Sequence, residues 1–67
     1  MTNQDGNLVD VHMLLSRDQA WAIAELCKRI GWTEIRQLSA TEAETDSAQT
    51  GLMVLANELA RVGFKPR

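Results

Sequence analysis

Cysteine, proline and aromatic residues are nearly missing from this chain of 67 residues, which holds one Cys, one Pro, two Trp, one Phe and no Tyr. A single Cys excludes an internal disulfide and a multi-cysteine zinc site, so packing or association must hold the fold. Charge of one sign is also scarce. Seven basic and nine acidic residues leave a net charge of −2, which runs against a nucleic-acid binder, whose basic face neutralises several phosphates. The longest apolar stretches, residues 11–15 and 51–56, fall far short of the ~20 residues of a membrane span. Residues 1–7 carry neither a basic region nor an apolar signal core, so a complete, small cytoplasmic protein is expected.

With 45% hydrophobic residues the chain reads as one small domain. A domain of this size buries only roughly 60% of the surface its unfolded chain exposes. A deep catalytic pocket of about 300 Å³ or more is hard to enclose in it. No Gly-rich phosphate loop, Ser/His/Asp set or paired-carboxylate pocket can be assembled from the residues present. No enzyme, cofactor or metal centre is expected.

The organisation predicted along the chain is α+β and mostly helical: a flexible leader over residues 1–7, then a single strand-helix-helix domain over residues 8–67. Residues 8–15 alternate, with Val9, Val11, Met13 and Leu15 on one face and Leu8, Asp10, His12 and Leu14 on the other, the period of a strand. Ser16 and Gln19 stand at capping-box spacing, opening a helix from about residue 17 to residue 30. Gly31 is expected to close it in the left-handed conformation, with Trp32 folding back onto Cys27. Thr33 is a cap for a short helical turn over residues 34–38. Two candidate caps, Ser39 and Thr41, leave the start of the last helix open within residues 39–48. Ala48, Leu52, Leu55, Leu59 and Val62 form its narrow apolar seam. Gly63 should end it, with Phe64 returning onto Leu59 and Pro66 blocking continuation. The stretches 27–32 and 59–64 echo one another, which reads as shared stop chemistry rather than duplication.

Two features point to association. The strand has no second period-2 segment in the chain to pair with, so its partner is expected from a second subunit about a two-fold axis. Apolar residues also cover roughly 220° of the first helix, where one core face needs only about 100°. The expected dimer interface is Val9, Val11, Met13, Trp21 and Leu26. Cys27, near a helix C-terminus and without a His beside it, reads as a structural thiol. His12 and Asp10 are too few for zinc, which takes at least three protein ligands. Glu34, Glu42, Glu44 and Asp46 concentrate negative charge, and form the expected docking surface for a basic protein partner.

The stretch from Leu15 to Leu38, with its Gln-Ala-Trp-Ala and Lys-Arg-Ile-Gly-Trp, and the ending Gly63-Phe-Lys-Pro-Arg67 resemble a family of short proteins encoded on bacterial chromosomes, plasmids and prophages. That resemblance implies a mobile-element setting and no site residues. In topology the chain is also similar to ribbon-helix-helix regulators, although the strand lacks the base-reading side chains of that fold. The expected function is a small, non-enzymatic, homodimeric protein-binding module, an inhibitor or modulator of the anti-CRISPR kind. The alternative is a ribbon-helix-helix-like DNA-binding transcriptional regulator or antitoxin.

Overall fold

A computed structural model of the chain describes residues 7–67, and it contains three helices: α1 (Arg17–Arg29), α2 (Trp32–Leu38) and α3 (Glu42–Arg61). There is no strand among the described residues. The predicted α+β class, with an N-terminal strand paired to a second subunit, is therefore corrected to an all-helical fold, and the ribbon-helix-helix topology goes with it. The physical reason lies in what a strand requires. Alternation decides which side chains share a face, whereas a strand also needs a neighbouring backbone with free N–H and C=O groups. Residues 8–15 lie beside α3, whose backbone groups are already spent on its own turns. The sidedness survives without the ladder: Val9, Val11, Met13 and Leu15 all border one groove along α3. The predicted leader falls outside the described residues, apart from an exposed Asn7.

Helix α1 begins as its sequence dictates. Ser16 Oγ accepts from the Gln19 N–H at 3.0 Å, and Gln19 Oε1 accepts from the Ser16 N–H at 2.9 Å, which satisfies two otherwise orphaned donors. Its end departs from expectation. Ile30 is extended (φ −72°, ψ 127°) and so is Gly31 (φ −101°, ψ 173°). Gly31 is the N-cap of α2, and Trp32 is the first residue of that helix rather than a side chain folded back from the end of α1. Glu34 Oε1 accepts from the Gly31 N–H at 2.8 Å. A Cβ on Gly31 would stand 2.8 Å from that oxygen, so glycine serves here by leaving room.

Ser39 closes α2 instead of opening α3: its hydroxyl donates to the Ile35 carbonyl at 2.7 Å. Thr41 is the true N-cap of α3, accepting from the Glu44 N–H at 3.1 Å. At the far end Gly63 takes φ +105°. The Gly63 N–H reaches the Ala60 carbonyl at 3.0 Å and the Phe64 N–H the Leu59 carbonyl at 2.8 Å, the paired closure of a Schellman stop.

α3 packs against both α1 and α2. Ala20 and Ala24 of α1 meet Leu59 of α3 in the core, with Leu15, Ile23, Leu55 and Phe64 around them. On the α2 side, Ile35 and Thr45 are buried, and the Thr45 hydroxyl donates to the Thr41 carbonyl at 3.1 Å. The molecule is a slab 17 Å thick. Among the described residues, the buried hydrophobic ones are Ala20, Ala24, Ile35 and Leu59, while twelve large apolar residues stand exposed. No helix among the described residues is long and apolar enough to cross a membrane.

Candidate functional site

Two concavities flank α3 and take in part of the exposed apolar surface. One is a dent of about 160 Å³ where the end of α1 (Cys27, Ile30), α2 (Ile35) and α3 (Leu52, Met53, Ala56) converge. Met53 is 60% exposed at its edge. Helical spacing extends this face toward the start of α3, because Glu42, Asp46, Gln49 and Met53 recur at steps of four, three and four residues. The indole Nε1 of Trp32 donates to Asp46 Oδ1 at 3.4 Å, tying the first turn of α2 to this acidic end.

The second concavity is a groove of about 660 Å³ on another flank of α3, bordered by Val9, Val11 and Met13 on one side and by Gly51, Val54 and Val62 on the other. His12, Glu58 and Arg61 also border it. Glu58 and Arg61 form an ion pair at 2.8 Å in open solvent. The hydrogen bond and charge of Arg61 hold the Glu58 carboxyl below its ordinary range.

These concavities regroup the predicted residues. Val9, Val11 and Met13 come together in the groove. Trp21 does not join them; its ring meets Phe64 edge to face, with centroids 5.1 Å apart. Leu26 is exposed on α1, away from the groove. The four acidic residues have different engagements. Glu34 caps Gly31 and Asp46 accepts from Trp32, while Glu42 and Glu44 are exposed in the first turn of α3, where they complement the positive end of its dipole. Glu44 projects about 160° around the helix from Glu42, toward the Gly51 side.

Sequence reasoning missed the dent, and it did not single out Val54, which borders the groove. The spacing of Cys27, Ile30 and Met53 carried no signal that they converge, because the first two lie at the end of α1 and the third on α3, and only the packing of the helices brings them together. Burial pushes the Cys27 thiol above its ordinary range, as a packing role requires. Among the described residues no three His, Cys, Asp or Glu side chains gather to hold a metal ion.

No curated protein and no solved structure matches the chain. A family model matches over residues 1–67, and the chain belongs to that family, a family of unknown function (DUF7706).

Proposed function

We propose that this protein works as a protein-binding module, with the dent beside Met53 as the seat for an apolar anchor of its partner. The observation that carries this reading is the distribution of apolar side chains: among the described residues, twelve large ones stand exposed around a core of four buried residues. A well-packed pocket that desolvates one anchoring side chain supplies most of the energy of many interfaces. Glu42 and Asp46, on the same side of α3, favour a partner whose anchor is flanked by Lys or Arg. An inhibitor or modulator of the anti-CRISPR kind, borne on a mobile element and occupying a basic protein surface, is the finer form of the reading. The resemblance to short plasmid and prophage proteins supports it. A cytoplasmic setting fits the lone free Cys27.

The test uses the purified chain as bait against bacterial lysate after nuclease treatment, with Met53→Asp and Glu42→Lys as matched baits. A partner retained by the wild type and lost from both variants, with helicity unchanged, is the expected result. Recovery of the same proteins by all three baits, or of nuclease-sensitive material alone, sinks the reading.

A further inference from the structure

Helix α3 carries two separate packing units. Its second half shares a core with α1, where Leu55 and Leu59 lie with Ala20 and Ala24. Its first half is tied to α2, where the Trp32 indole donates to Asp46 and Thr45 is buried. α1 and α2 pack on α3 and not on one another. Between Thr45 and Leu59 no residue of α3 is buried, and Thr50 and Gly51 stand within that stretch. The Thr50 hydroxyl donates to the Asp46 and Ser47 carbonyls at 3.2 and 3.0 Å, a back-bonding that weakens and bends helices. Glycine is the least favourable helix residue other than proline. A Cβ on Gly51 would meet nothing within 4 Å, so no close approach requires glycine and no neighbour braces the helix there.

From these observations we infer that α3 is hinged at Thr50 and Gly51, and that bending there opens and closes the dent beside Met53. Helix bends gather where glycine stands beside a hydroxyl residue, and this pair lies at the seam between the two units. The dent takes up the motion because its lining comes from both sides of the seam: Ile30 at the end of α1, Ile35 of α2, Gln49 before the hinge and Met53 after it. A second pivot is in place. Only Ile30 and Gly31 separate α1 from α2, and both are extended, as residues at element ends that absorb a hinge motion can be. A rigid dent of about 160 Å³ would accept one size of side chain, whereas a hinged one adjusts its width. That use rests on the reading of the dent as a binding seat; the motion itself belongs to the free chain.

Methyl relaxation dispersion on the free chain, read at Ile30, Ile35 and Met53, tests the inference on wild type, Gly51→Ala and Asn57→Ala. Alanine is the better helix former, so Gly51→Ala should lower the open population by about fivefold. Asn57 is exposed on α3 beyond the hinge, and Asn57→Ala strengthens the same helix without touching the weak point. The expected result is exchange on the microsecond-to-millisecond scale of hinge motions at these methyls in the wild type, suppressed by Gly51→Ala and kept by Asn57→Ala. Methyls free of exchange in the wild type overturn the inference. So does exchange that Gly51→Ala leaves unchanged, or that both alanines suppress alike, which would report loosening of the whole fold. The lysate experiment is separate. A dent that captures a partner without this exchange overturns the hinge and keeps the binding seat, and exchange in a dent that captures nothing does the reverse.

Discussion

The rings of Trp21 and Phe64 meet at 73° with centroids 5.1 Å apart, and this contact fastens the chain's last turn to its first helix. The Arg17 guanidinium sits 5.2 Å from the centroid of Phe64, within cation–π range. One aromatic side chain from beyond α3 thus binds two positions a turn apart on α1. Phe64→Ala should lower stability by about 2–3 kcal/mol, below the range for a fully buried Phe because Phe64 is half-buried. Arg17→Met should cost no more than about 1 kcal/mol. Urea unfolding followed by Trp fluorescence reads both, and equal costs would show that the edge-to-face packing is not the main term.

The two glycines that follow a basic residue and an aliphatic one should behave differently. Gly63 is held at φ +105°, so Gly63→Ala forces a side chain into the left-handed region at a cost of about 1–2 kcal/mol. Gly31 is extended, and Gly31→Ala need only push aside the flexible carboxylate of Glu34. Its expected cost is that of one weakened cap, about 0.5–1 kcal/mol. Thermal or urea denaturation of the pair gives the order, and a costlier Gly31→Ala would contradict this geometry.

These two positions also mark where the fold was legible. Ser16 with Gln19, and Gly63 with Phe64 and Pro66, are complete local signals: every group needed lies within a few residues. Gly31 sits in nearly the same sequence context as Gly63. What differs is downstream, where Glu34 reaches back to start α2 while Pro66 forbids a further helix. Residues 8–15 show the harder limit. Their alternation did assign Val9, Val11 and Met13 to one side, but the ladder depends on a partner backbone that no local pattern specifies. The dent is formed by three helices, and the periodicity within each one does not say which residues of the others it will meet.

Thr45 is fully buried, yet its needs are met within α3. Its hydroxyl donates to the Thr41 carbonyl, which the Thr45 N–H also reaches at 3.1 Å. Removing the hydroxyl therefore orphans nothing. Thr45→Val should stay within about 1 kcal/mol of wild type, whereas Thr45→Asp brings an unpaired carboxyl into the α2–α3 contact at about 2 kcal/mol or more. Far-ultraviolet circular dichroism during urea titration separates them.

Cys27 gives a pH dependence with a definite sign. Burial raises its thiol above the ordinary value of 9.0, so the folded chain holds that proton more tightly than the unfolded chain. The contribution is complete below the ordinary value and is lost as pH rises through the raised one. Between about pH 8 and about pH 10, the urea midpoint of the wild type should fall more steeply than that of Cys27→Ala. Parallel curves would mean that the thiol is as well solvated in the fold as in the open chain.

Ala20 and Ala24 stand one turn apart where α1 leans on α3, and in a slab 17 Å thick no deeper layer exists to take up a displacement. A larger side chain at either position must move a whole helix, at a cost of typically about 1–3 kcal/mol for overpacking. That is a large share of the stability a small domain possesses. The pair therefore acts as a gauge that sets the spacing between helices. Most other positions on α1 are free to drift provided those two side chains stay small.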